Sequence, residues 1–162
     1  MMFVQHVERL MVRELTTMIA EVRALNDDEL LWTCPSGITN SIGTLGLHMA
    51  GSLRHFVGAG MGTTGYVRDR PHEFAARGLS GDAVIATLEA AIADIRATLP
   101  TLSEAKLSEE VLINGVTMSN SLFLLHMCAH TALHVGQAGY LRRILTGQNE
   151  SVGVALMSAL VG

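Results

Sequence analysis

The chain has 162 residues, of which 49% are hydrophobic and 16% charged, and its formal net charge is −4. This length suits one domain with one core, so residues 1–162 are predicted to form a single domain. The eleven basic residues are scattered along the chain. That pattern argues against a nucleic-acid groove and against binding to an anionic membrane surface.

The mean hydropathy of +0.35 is high for a soluble protein. An apolar surface hidden between subunits would explain it, and a homodimer is therefore expected. The apolar C-terminal segment VGVALMSALVG, residues 152–162, supports the same expectation. This segment is too short to span a bilayer.

The cysteine pattern and the N-terminus indicate the compartment. Cys34 and Cys128 are far apart and show no CxxC spacing, which fits a reducing environment. Charged residues interrupt the N-terminal segment from Glu8 onward, so it lacks the apolar core of a signal peptide. A cytoplasmic location is predicted.

Four amphipathic helices are predicted from apolar residues that recur at three- and four-residue steps. They run from Val4 to Leu25, from about Thr39–Ser41 through Phe56, from a Ser80 cap to about Leu99, and from about Ser119 to Leu145 with Gly147 ending the last. Residues 58–79 are expected to form a long loop, and residues 101–117 a short helical turn followed by an extended segment. The fold class is therefore all-α, an antiparallel four-helix bundle.

The chemistry concentrates on the fourth helix. His130, His134 and Gln137 fall within about 60° of one line together with its apolar stripe, so all three are expected to point at the core. A buried imidazole must be hydrogen-bonded or metal-bound, since an unsatisfied polar group costs about 1–3 kcal/mol. The i, i+4 spacing places the two rings side by side, where they can bind one metal ion.

The second helix offers a third ligand, His48, because antiparallel packing would set its middle against His130. Three histidines leave coordination positions open, as in reactive metal centres. The alternative is a pair of core histidines bonded to carbonyls or serines. His126 is either a wall residue or a rival ligand, and His55 either supports the site or lies on the plain helix surface.

Two further features stay unassigned or are excluded from the chemistry. Arg68-Asp69-Arg70, together with Arg77, can bind an anionic carboxylate, although a loop charge cluster is more often a solvated surface. Cys128 lies about 200° round the helix from His130, so a protein nucleophile beside the histidines is not expected.

Three segments carry a resemblance to a known family. They are LHMAGSLRHFVGAGMG (47–62), YVRDRPHEFAARGLS (66–80) and LLHMCAHTALHVGQAGYLRRIL (124–145). The chain resembles the DinB-like family of metal-binding four-helix bundles over most of its length. The family's ligands, one histidine of the second helix and two of an HxxxHxGQ motif, map by resemblance onto His48, His130 and His134.

The resemblance implies a bound divalent metal ion and a small-molecule partner. Zinc suits a thiolate ligand best, and a three-imidazole site can also hold nickel, so zinc and nickel are the expected ions. Relatives include enzymes that use low-molecular-weight thiols such as mycothiol and bacillithiol. The first hypothesis is thus a metal-dependent enzyme of the thiol S-transferase type, in which the metal deprotonates a small thiol. The alternative is a non-catalytic ligand-binding or stress-response module with a metal pocket.

Overall fold

A computed structural model describes residues 1–153 and 157–160, and most of these residues are helical. In chain order the elements are α1 (Met2–Leu25), α2 (Ile42–Leu53), α3 (Arg70–Ala75), α4 (Gly81–Thr98), α5 (Glu104–Ser108), β1 (Glu110–Ile113), β2 (Val116–Ser119) and α6 (Asn120–Thr146). Short 3-10 turns occur at Leu30–Trp32, Leu99–Thr101 and Met157–Leu160, and a π-helical segment, Arg54–Ala59, continues α2. The all-α prediction is confirmed.

Serine side chains begin three of the four long helices. The hydroxyls of Ser41, Ser80 and Ser119 accept hydrogen bonds from backbone N–H groups three residues on, at 3.2 to 3.3 Å. Such caps satisfy backbone donors that a helix start leaves unpaired. Asn26 and Gly147 end α1 and α6 in the left-handed conformation, with φ of 47° and 70°. The predicted helix boundaries are confirmed to within a few residues.

The four long helices form a bundle in which α1 and α2 each pack against α4 and α6. Residues along α2 meet residues of α6 in reverse order: Leu45 shares a groove with Leu141, His48 meets His130, and the Phe56 ring is 5.2 Å from Phe123. Thus α2 and α6 run antiparallel. This arrangement brings the middle of α2 to the middle of α6, as the sequence predicted.

The pairs α2 with α4 and α1 with α6 run parallel. Gly46 of α2 lies against Val84, and Gly58 of the π-helical continuation lies against Asp94, so positions along α2 and α4 advance together. A parallel pair needs a connection that returns along the bundle, and residues 60–80 provide it. This crossover is long because it must run back along the bundle. It contains α3, which lies beside His48 of α2.

The core is built from the inward faces of the four helices. Among its fully buried large side chains are Met11, Leu15, Met18, Ile42, Met49, Leu53, Leu88, Ile95 and Leu124. A buried ion pair, Glu21 with Arg142, joins α1 to α6 inside this core at 2.5 Å. None of the helices in the described ranges combines the length and apolar character that a membrane span would need.

Three sequence predictions need correction. The predicted loop 58–79 contains the helix α3, which Asp69 caps by accepting a hydrogen bond from His72 N at 3.0 Å. The extended segment after α5 is a complete hairpin, in which β1 and β2 pair antiparallel around Asn114-Gly115. Both turn residues have positive φ, 50° and 82°, as a tight hairpin requires. The apolar segment 152–162 lies partly outside the described residues.

The third correction concerns the prediction that His130, His134 and Gln137 point at the core. Phe123, Met127 and Leu141 are buried as expected, whereas His130 and His134 are only half-buried and Gln137 is exposed. The buried face of α6 is centred instead on Thr131 and Ala138. The histidines therefore lie at the edge of the core, where a small molecule can reach them.

Candidate metal centre

Three histidines from two helices converge at this edge. His48 comes from α2, and His130 and His134 lie on successive turns of α6. One ring nitrogen from each lies within 4.8 Å of the others, and His48 Nε2 is 3.2 Å from His130 Nε2. The centroids of the His130 and His134 rings are 4.4 Å apart. The structure thus brings together the same three residues that the sequence predicted as ligands.

The crossover segment orients His48. The Glu73 carboxylate, from α3, lies 3.2 Å from His48 Nδ1, and Arg68 holds that carboxylate from both sides, with Nε 2.6 Å from Oε1 and Nη2 2.7 Å from Oε2. Arg68 Nη2 also donates to Ser52 Oγ at 2.7 Å. These bonds fix both the ring and its hydrogen-bonding partner.

The contacts also assign the tautomer of His48. Arg68 Nη2 is 3.3 Å from His48 Nδ1, but a guanidinium can only donate and its two hydrogens already serve Ser52 and Glu73. The carboxylate can only accept, so Nδ1 carries the proton and donates to Glu73. Nε2 of His48 then keeps its lone pair and faces the other two histidines. A carboxylate behind a ligating histidine is a common support in metal sites.

Gln137 has the same effect on His134. Its Oε1 lies 2.8 Å from His134 Nδ1, so that nitrogen donates and Nε2 is left as an acceptor. Within the described residues, His134 Nε2 is buried without a hydrogen-bond partner. Such an orphaned polar atom costs free energy unless something binds it. The lone pair of His134 Nε2 is positioned to bind a further group at the cluster.

Burial and neighbouring groups favour the neutral forms of His130 and His134. Burial first, and then the neighbouring His134 and His48, lower the pKa of His130 from 6.5 to about 4. Burial likewise lowers the pKa of His134. Burial opposes ionisation of Glu73, yet the hydrogen bonds from Arg68 and His48 outweigh it and lower its pKa overall. Neutral imidazoles and an ionised supporting carboxylate are the forms that a metal site needs.

The donor set fits a divalent ion. Two ligands of a tetrahedral ion with bonds of about 2.0–2.1 Å stand about 3.3 Å apart, close to the 3.2 Å between His48 Nε2 and His130 Nε2. A single ion can bind all three lone pairs, including that of His134 Nε2. Three neutral histidines suit zinc and nickel alike.

The other predicted candidates lie round this cluster. His126 stacks on His130 with centroids 5.9 Å apart, is exposed, and stands outside the three-histidine group, which agrees with a wall position. His55 contacts the Phe56 ring at 4.8 Å. Burial first, and then the Glu14 carboxylate, raise the pKa of Cys128 to about 11, which makes this thiol a poor nucleophile.

Sequence reasoning missed Glu73 and misread Arg68. The Arg68 side chain is only 11% exposed, because it is buried against Glu73 rather than solvated. Gly51 makes the arrangement possible, since a Cβ at this position would stand 2.0 Å from Glu73 Oε1. An available signal was Asp69 followed by Pro71, which is typical of a helix start.

The fold and the cluster define a class of helical-bundle proteins with a potential three-histidine metal site. The chain belongs to the DinB superfamily, whose family model matches residues 10–138. The matched range includes all three histidines, Glu73 and Gln137. No curated protein and no solved structure matches the chain.

Proposed function

We propose that the protein binds one divalent metal ion on His48, His130 and His134. The strongest support is that His48 and His134 each have a hydrogen-bond acceptor at Nδ1. Glu73 and Gln137 accept hydrogen bonds from the Nδ1–H groups of His48 and His134. The Nε2 lone pairs of both rings are therefore left to face a common point beside His130. Zinc and nickel are the proposed ions, and one ion would satisfy all three nitrogens.

We further propose that the centre acts on a small thiol. A metal ion held by three histidines keeps open positions, at which it can lower the pKa of a bound thiol from about 8.5 so that a thiolate forms at neutral pH. In this proposal the nucleophile comes from the ligand, since burial raises the pKa of Cys128 to about 11 and makes that thiol a poor nucleophile. The half-buried rims of His130 and His134 provide access for such a ligand.

The chain's residues have separate tasks in this proposal. Glu73 holds the His48 ring in a fixed orientation with Nε2 facing the other two histidines, and Arg68 keeps Glu73 ionised. Gln137 sets the ring of His134. The apolar ring of Phe74, 5.0 Å from the His48 centroid, limits access of water on the α3 side.

The test begins with protein purified without a histidine tag or a nickel column. About one equivalent of zinc or nickel per chain is expected by elemental analysis. Consumption of an electrophile by a panel of low-molecular-weight thiols should stop on chelation and resume with added metal. Metal binding and thiol affinity without any product would instead identify a non-catalytic binding module, and the enzyme proposal would be wrong.

A further inference from the structure

An apolar stripe runs along the outer face of α6, on the side away from the core. Its large members recur at three- to eight-residue intervals and are 49% to 71% exposed: Leu122, Leu125, Leu133, Tyr140 and Ile144. Ala129 and Gly136 lie on the same line and are also exposed. The stripe extends over six turns, about 33 Å. An exposed apolar surface of this length is typical of an interaction site.

The stripe carries little charge. No Asp, Glu, Lys or Arg occurs from Asn120 to Leu141. The exposed face of α4, by contrast, carries Asp82, Glu89 and Arg96. Near its C-terminal end the guanidinium of Arg143 lies 5.7 Å from the centre of the Tyr140 ring. A nucleic acid or an anionic membrane would require a cluster of basic residues along the stripe, and one arginine at its end does not supply that.

We propose that this face of α6 binds the same face of a second copy of the chain in a two-fold symmetric dimer. A two-fold contact sets a patch against itself, so like charges would repel, and a patch with almost no charge is self-complementary. Ala129 and Gly136 allow close approach of two helices: a Cβ on Gly136 would meet no atom within 4 Å in the single chain. The dimer does not depend on metal binding.

The size of the surface suits this partner. A stable interface takes about 800 Å² per subunit. A groove of about 370 Å³ adjoins the C-terminal half of the stripe, where Ile38, Thr39 and Asn40 face Tyr140 and Ile144. The stripe and this groove form one continuous surface along α6 with almost no charge, and the side chains of the partner's stripe can pack against both parts.

The dimer would lie beside the histidine cluster. His130 and His134 are about 100° round α6 from the stripe, and Gln137 stands between them, both hydrogen-bonded to His134 and lining the groove. The second copy would therefore form a further wall next to the open side of the cluster.

Light scattering at micromolar concentration, in the presence of chelator, tests the proposal without reference to the metal. Wild-type protein should have twice the chain mass, and Leu133→Glu should be monomeric with an unchanged circular dichroism spectrum. Val67→Glu, at a position 87% exposed on the crossover, is the matched control and should remain dimeric. A monomeric wild type, or a dimeric Leu133→Glu, would overturn the proposal.

Cross-linking provides a second measurement that does not rely on a disruptive variant. Leu133 lies at the midpoint of the stripe, so in a fully overlapped two-fold dimer it stands next to its own copy. In a Cys34→Ser background, Leu133→Cys should form an intermolecular disulfide under mild oxidation, whereas Val67→Cys should not. Equal cross-linking of both variants, or none at position 133, would overturn the proposed face.

Discussion

The Glu73 carboxylate lies directly against the backbone of Gly51, and a Cβ on that glycine would stand 2.0 Å from Oε1. The carboxylate cannot move aside without losing hydrogen bonds, because Arg68 donates to both of its oxygens. The absence of a side chain on α2 is thus what lets α3 place an acceptor behind His48. A glycine in a helix interior lowers the stability of the helix by about 1 kcal/mol relative to alanine. The position of Glu73 explains why a glycine nevertheless occupies this position of α2.

Gly51→Ala should therefore weaken metal binding although position 51 touches no ligand nitrogen. The added methyl displaces Glu73 and frees the His48 ring, and loss of such a support typically lowers metal affinity about 10- to 100-fold. Competition titration with a zinc chelator measures the change. Gly81→Ala, where the new Cβ would be 3.4 Å from Val22, is the control and should retain wild-type affinity. Equal affinities for the two variants would contradict the role given to Gly51.

Glu73→Gln tests the carboxylate itself. The amide keeps the shape but loses the charge that pairs with Arg68, so metal affinity should fall about 10- to 100-fold and the folded state should be destabilised. Glu89→Gln removes a carboxylate whose partner Arg23 is 3.7 Å away at an exposed position, and it should change neither quantity measurably. Calorimetric titration with zinc and thermal melting provide the two readouts. Wild-type affinity in Glu73→Gln would rule out this support of His48.

The buried pair of Glu21 and Arg142 predicts a large effect on stability alone. Their side chains are 5% and 2% exposed, so Glu21→Gln leaves an unpaired charge inside the bundle. Breaking such a pair typically costs about 3–5 kcal/mol. Urea unfolding of the metal-free protein measures this loss, with Glu89→Gln again as the control. A loss below about 1 kcal/mol would show that water reaches Arg142.

The lowered pKa of His130 predicts how the metal-free protein responds to acid. The folded ring titrates at about 4 and the unfolded one at 6.5, so between these values the unfolded chain binds more protons. The free energy of unfolding should therefore fall as the pH is lowered from about 6.5 to about 4. His130→Asn removes this group and should flatten the slope in that window. The exposed His6→Asn should not, and equal slopes in both variants would contradict the shift.

The sequence predicted the long helices well and the hairpin poorly, for physical reasons. The spacing of apolar residues located the long helices because each of them buries one face. Capping residues then located their ends: Asn26 ends α1, Ser80 begins α4, and Ser119 and Gly147 begin and end α6. The same period brought His48, His130 and His134 together in the prediction. The hairpin was missed although Asn114-Gly115 is a strong turn signal, because its strands are only four residues long.

The depth and the support of the cluster could not be read from α6 alone. Which face of a helix is buried depends on its neighbours. Helix α6 packs against both α1 and α2, and its buried face is centred on Thr131 and Ala138, which leaves the histidines at the edge of the core. Glu73 lies 25 residues from His48 in the chain. Its place behind that ring follows from the path of the crossover between two parallel helices, which no local pattern specifies.

The central claim is that His48, His130 and His134 share one metal ion. Its most direct test is the zinc and nickel content, after dialysis at pH 7.5, of untagged wild-type protein and of the three single alanine variants. His126→Ala and His55→Ala serve as matched controls. About one equivalent is expected in the wild type and both controls, and close to none in His48→Ala, His130→Ala and His134→Ala. Full metal content in any one of those three variants would contradict the three-histidine site.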